Sequence, residues 1–79
     1  MEKVVLITGA SAGIGKETAK LLVENGFIVY GAARRIEKMQ ELKNLGVHLL
    51  EMDVTSEESM VKGVQEIIRA EKRIDILVN

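Results

Sequence analysis

The chain contains no cysteine, no proline and no tryptophan, and only one phenylalanine, one tyrosine and one histidine among its 79 residues. Each scarcity removes a class of function. Without cysteine there is no disulfide framework and no thiolate metal site. A single histidine cannot build a multi-histidine centre, so no metal site is expected. So few aromatic rings make a platform for stacking nucleic-acid bases an unsuitable reading. Charge of neither sign prevails: 11 Lys and Arg stand against 12 Asp and Glu. No net field recruits nucleic acid or an anionic membrane. Long apolar runs are lacking too. The N-terminal run Val4-Val5-Leu6-Ile7 is too short for the apolar core of a signal peptide. Nothing approaches the ~20 apolar residues of a membrane span. The expectation is a soluble cytoplasmic protein.

What is present is globular in kind, with 47% hydrophobic and 29% charged residues. The length suits one domain, and a chain this size buries only somewhat above roughly 60% of its unfolded surface. Seven glycines take over the turning that proline would share. Along the chain, short apolar runs alternate with helical periods. Residues 4–8 are rich in β-branched side chains and read as a strand buried on both faces. A glycine-rich turn follows at residues 9–15. Ile14, Thr18, Leu21 and Leu22 then recur at helical spacing, and Asn25-Gly26 supplies a stop. Residues 27–32 are a second strand. Ile36, Met39 and Leu42 mark a short helix that ends near Leu45 and Gly46. Residues 47–52 are a third strand. Thr55 and Glu58 form a capping box before a third helix, whose apolar stripe is Met60, Val61, Val64, Ile67 and Ile68. Residues 74–78 are a fourth strand.

The order βαβαβαβ implies a parallel α/β sheet with helices on its faces. Right-handed crossovers give the strand order 3-2-1-4. The first two helices then cover one face and the third lies alone on the other, with the fourth strand as an open edge.

The turn Thr8-Gly9-Ala10-Ser11-Ala12-Gly13-Ile14-Gly15 stands where a phosphate site is expected, between a strand's carboxyl end and a helix N-terminus. Unpaired N–H groups and the helix dipole attract anions there. Rival glycine motifs fail. A P-loop would end Gly-Lys-Ser/Thr, but Gly15-Lys16 is followed by Glu17. The G-x-G-x-x-G fingerprint fails because Gly13-Ile14-Gly15 is followed by Lys16-Glu17-Thr18. The bland alternative is a turn that merely needs glycine.

Thr-Gly-x-x-x-Gly-Ile-Gly resembles the signature of the short-chain dehydrogenase/reductase family, and the resemblance runs from Val4 to Asn79. Asp53-Val54 is similar to the family's adenine-contacting pair. Residues 74–79 look like the approach to the family's Asn-Asn-Ala-Gly motif, cut after its first Asn. The resemblance implies a Rossmann-type doubly wound sheet, of which residues 1–79 are the N-terminal, cofactor-binding part of one truncated domain. It implies that Gly9, Gly13 and Gly15 shape the pyrophosphate turn and that the Ile14 N–H meets the pyrophosphate while its side chain packs. Ser11 either donates to a ribose or phosphate oxygen or serves as turn or helix-cap chemistry. Asp53 either accepts from the adenine amino group, with Val54 offering backbone, or helps cap the third helix. Asn79 bridges strands, contacts the cofactor or does neither.

An NAD enzyme of this architecture carries an acid after the second strand, roughly 20 residues past the glycines, for the ribose 2′-OH. Here the stretch is Ala32-Ala33-Arg34-Arg35. Guanidinium forks suit a phosphate, and two cations at a helix entrance oppose the dipole unless an anion joins them. NADP(H) is therefore expected over NAD(H), although the family's other basic marker is replaced by Ala12. The same arginines argue against a Rossmann methyltransferase, which would want an acid for its cofactor's ribose.

The resemblance also implies hydride transfer between a carbonyl or alcohol substrate and a nicotinamide, with a Tyr-x-x-x-Lys pair and a Ser for proton transfer. Tyr30 is followed four residues later by Arg34, lies inside a strand, and is not accepted as catalytic. No catalytic residue is assigned. His48, alternating with Val47 and Leu49, reads as structural, and Met39, Met52 and Met60 as packing. The expectation is the cofactor half of a longer, homo-oligomeric oxidoreductase, itself inactive. The alternative is a non-catalytic dinucleotide-binding module or isolated fragment.

Overall fold

The computed structural model describes residues 2–11 and 13–78. Strands β1 (Val4–Thr8), β2 (Ile28–Ala33), β3 (His48–Glu51) and β4 (Ile76–Val78) form one parallel sheet in the order β3-β2-β1-β4. Helix α1 (Gly13–Glu24) follows β1 and α3 (Glu57–Glu71) follows β3. The expected strand order and alternation are both observed.

β1 is the centre of the molecule. Val4, Val5, Leu6 and Ile7 are each buried, because the strand has a neighbour on either edge and a helix layer on either face. Val5, Ile7, Val29 and Ala33 meet Ala19 of α1 on one face. Val4, Leu6 and Ala32 meet Leu50, Met52 and Ile67 on the other. A continuous apolar run is thus split by pleating into two cores.

The second helix is divided. Ile36–Met39 is a 3₁₀ turn, and α2 is only Gln40–Asn44. Met39 and Leu42 are its buried residues, as expected, while Leu45 is exposed. In α1 the inward residue is Ala19, with Leu22 and Val23 packed beside it, whereas Leu21 faces out. β4 starts at Ile76 and not at residue 74. Just before it, Asp75 makes the ladder partly with its side chain: its N–H donates to the Val4 carbonyl at 2.8 Å and its Oδ2 accepts the Val4 N–H at 2.8 Å. Arg73 holds that carboxylate from outside, at 2.9 Å from Nε.

Two expectations for α3 are corrected. Its cap is Ser56, whose hydroxyl accepts the Ser59 N–H at 3.2 Å. Thr55 is unavailable because its N–H and hydroxyl both donate to Asp53 Oδ1, at 2.9 and 2.6 Å. The helix therefore begins one residue later than the Thr55–Glu58 box implies. Its apolar stripe is the buried face only at Ile67. Only Gly63 and Ile67 are buried, while Val61 and Ile68 are 49% and 41% exposed. Gly63 lets the helix lie close on Met52 and Leu50, and that contact fixes the rotation of the whole helix.

This rotation is testable by urea unfolding. Ile67→Ala is expected to cost about 2–5 kcal/mol, as for a deleted core side chain. Val61→Ala is expected to stay within about 0.5 kcal/mol. Equal costs would mean that α3 turns a different face to the sheet.

Candidate functional site

The site is built at the carboxyl end of β1 and β2, where parallel strands deliver their loops. Gly9 turns the chain with φ +67°, a left-handed conformation that side-chain-bearing residues resist. Ala10 is fully buried and its N–H donates to the Ala32 carbonyl at 3.3 Å, which ties the turn to β2. Gly15 is required by proximity. A Cβ there would stand 2.5 Å from the Gly9 carbonyl oxygen and 3.3 Å from the Ala10 Cα. The first turn of α1 is thus seated directly against the glycine turn. Thr8 closes the other side, its hydroxyl donating to the Val78 carbonyl at 3.4 Å.

A cleft of about 450 Å³ opens beside this turn. Gly9 and Ser11 of the turn line it together with Arg34, Arg35 and Lys38 and with Val54. Ala33 at the end of β2 has no carboxylate to offer. Gly13 and Ile14 lie on the first turn of α1. The expectation that the Ile14 side chain packs is corrected, because it is 87% exposed. Asn79 and Ala12 lie outside the described residues.

Asp53 binds Thr55 and does not cap α3. Its carboxyl is held below the usual carboxylate range, first by the Thr55 hydroxyl, then by the Thr55 N–H, with the Arg34 charge adding to them. Its own N–H donates to Ser59 Oγ at 2.9 Å. The loop Asp53–Val54 is therefore fixed from both sides, with Val54 half exposed.

Tyr30 lies elsewhere. Its hydroxyl donates to Glu71 Oε2 at 2.6 Å and its ring stacks on His48 with centroids 4.8 Å apart. Burial, the Glu71 hydrogen bond and the nearby carboxylate charges push the phenol up to about 12. His48 is exposed at the outer edge of the sheet. Among the described residues, no group of His, Asp and Glu is placed to hold a metal ion. No helix of the described chain is long and apolar enough to cross a membrane.

Sequence reasoning overlooked two residues here. Met52 is buried, as a packing residue should be, yet it also lines the cleft. Lys38 lines it too, and its spacing of three from Arg35 was the available signal.

A family model described as short chain dehydrogenase matches residues 3–79. The chain belongs to the short-chain dehydrogenase family. Among curated relatives, it is 44% identical over 78 residues to a 3-ketodihydrosphingosine reductase of Bacteroides thetaiotaomicron, covering 98% of this chain and 27% of the relative. Among solved structures, a short-chain dehydrogenase from Streptomyces avermitilis superposes with a TM-score of 0.94 at 34% identity, over 100% of this chain and 30% of that one. ElxO with NADP bound gives a TM-score of 0.88 at 34% identity, over 100% of this chain and 34% of that one. The chain spans about a third or less of the length of the first curated relatives it matches.

The seating of Gly15 generates a prediction. Gly15→Ala is expected to lose about 1–3 kcal/mol of stability, as for overpacking against atoms that cannot step aside. Dinucleotide affinity should fall with it, since the turn must move. Chemical denaturation and a nucleotide titration check the two effects, and an unchanged unfolding midpoint would mean that the turn yields freely.

Proposed function

We propose that this chain is the cofactor-binding part of an NADP(H)-dependent short-chain oxidoreductase that interconverts a carbonyl and an alcohol. The observation that carries the proposal is that one cleft is lined both by the glycine turn and by three cations. The glycine turn lies against a helix N-terminus and suits a pyrophosphate. Arg34, Arg35 and Lys38 supply positive charge, with no acid at Ala33 to accept from a ribose 2′-OH or repel a 2′-phosphate. The residues fit the cofactor at each point. The turn has no side chain at Gly9, Gly13 and Gly15 to block a pyrophosphate. Ser11 offers a hydroxyl, Arg34 and Arg35 offer guanidinium groups, and Asp53 with Val54 would border the adenine. Asn79 is proposed to contact the cofactor. The likeness to ElxO, solved with NADP bound, supports this reading.

When bound, the nicotinamide supplies or accepts the hydride. What the chain's own residues do is bind and orient. Proton transfer needs a phenol lowered by a neighbouring cation, whereas Tyr30 is raised by burial and by Glu71. We propose that residues 1–79 are the N-terminal part of a single dinucleotide-binding domain, and that the acid–base residues and the substrate pocket belong to sequence outside these 79 residues.

Titration of the pure chain with NADPH and NADH tests the cofactor. NADPH is expected to bind at least about tenfold tighter, the scale of one charge-assisted hydrogen bond. Arg34→Ala should remove most of that difference. Equal or tighter NADH binding, or an unaffected Arg34→Ala variant, would sink the cofactor assignment. Separately, the chain is expected to show no NADPH oxidation with any carbonyl substrate. Measured turnover would refute the placement of the acid–base residues outside it.

A further inference from the structure

We infer that the outer face of α3 is an interaction surface for a second copy of this chain, docked antiparallel about a two-fold axis.

The fold itself uses only part of the apolar stripe of α3. Gly63 and Ile67 face the sheet, while Val61, Val64 and Ile68 remain exposed. At about 3.6 residues per turn, Glu57, Val61, Val64 and Ile68 follow one another along a single line of the helix. Their alternating spacing is that of a seam that packs against another helix. Leu77 is exposed as well, and it pairs in register with Leu6, which belongs to the core beneath α3. It therefore opens on the same side of the sheet. Apolar side chains exposed in a row mark an interaction site, as scattered ones do not.

The charges beside the seam select its occupant. Glu58, Gln65 and Lys72 recur every seven residues along one flank, in the order acid, amide, base. All three are exposed, and among the described residues neither Glu58 nor Lys72 is held in an ion pair. Lys72 stays with the helix end, because its N–H donates to the Ile68 carbonyl at 2.9 Å. A second α3 lying antiparallel presents the same flank in reverse. Glu58 of each copy then meets Lys72 of the other, and Val61 of each falls opposite Ile68 of the other. The two Gln65 amides, each both donor and acceptor, meet near the axis. A parallel copy would instead set Glu58 on Glu58 and Lys72 on Lys72. The pattern complements itself in one direction only, as an isologous two-fold interface requires.

Three apolar side chains from each copy and two exposed ion pairs make a small interface, short of the ~1,200 Å² of a standard one. A dissociation constant on the order of 10–100 µM is therefore expected. Sedimentation equilibrium of the 79-residue chain, from micromolar to millimolar concentration, should show a monomer–dimer equilibrium. Val61→Asp is expected to weaken it at least about tenfold, since a carboxylate would be buried in the seam. Glu58→Lys and Lys72→Glu should each weaken it about 3- to 10-fold, because two contacts per dimer become repulsive. An equimolar mixture of those two variants should recover the wild-type association, each supplying the charge that the other needs. Circular dichroism checks that the variants fold, which exposed positions should allow, and the wild-type measurement needs no variant. A chain that stays monomeric up to millimolar concentration overturns the proposal and leaves this face to sequence outside the 79 residues. Association that Val61→Asp does not weaken also overturns it, by placing the contact elsewhere, the exposed edge of β4 included. A mixture that associates no more tightly than the single variants overturns the antiparallel pairing.

Discussion

The seating of α1 on the glycine turn is the contact from which the rest of the site follows. It brings Gly15 so close to Gly9 that even a methyl group would collide with a carbonyl oxygen. That proximity in turn depends on Ala10, buried over β2 and bonded to the Ala32 carbonyl. Gly31, beneath, leaves room: a Cβ there would be 3.2 Å from the Ala10 Cβ and 3.2 Å from Val47. Small residues on three successive segments thus allow a helix end, a turn and a strand to converge. The concave surface beside them is a consequence of that convergence. The cleft needs no loop of its own, because the close packing on one side leaves open space on the other.

The parts of this arrangement set by periodicity were legible in the sequence. β1 is a continuous apolar run because it is buried on both faces, and the crossover rule then orders the sheet. The parts set by competition between neighbours were not legible. Thr55 has every local credential of a cap, yet Asp53 captures its hydroxyl and N–H, and Ser56 caps instead. The apolar stripe of α3 is buried only along its Ile67 edge, next to Gly63, which pattern alone could not show. The choice falls to Gly63, whose missing side chain gives the closest approach to Met52 and Leu50. In the site, Arg34 and Arg35 stood out as an adjacent pair, whereas Lys38 reaches the same cleft only through the geometry of a short 3₁₀ turn.

The electrostatics of the cleft run against local stability. Arg34 and Arg35 stand at the start of a helical segment, where the dipole disfavours cations. Lys38 adds a third charge of the same sign, and the nearest suitable carboxylate is taken by Lys16. At the base of β4 the charges are paired: Arg73 holds Asp75, and Asp75 in turn holds the backbone of Val4. Asp53 is an acid near Arg34. Its charge is already committed to Thr55 donors, so it tempers the positive field without cancelling it.

Recognition and proton transfer are separated by the same physics. A phenol that exchanges protons near neutral pH must sit beside a cation and remain accessible to water or substrate. The phenol of Tyr30 has the opposite surroundings. It lies on the α3 face of the sheet, donates to a carboxylate and is pushed up to about 12. Its hydrogen bond joins β2 to the end of α3, a structural task that would be lost on ionisation. The cations that could lower a phenol gather instead at the carboxyl end of β2, where they face the cleft. Within the described residues, then, positive charge gathers at the cleft, and the tyrosine is used to hold a helix.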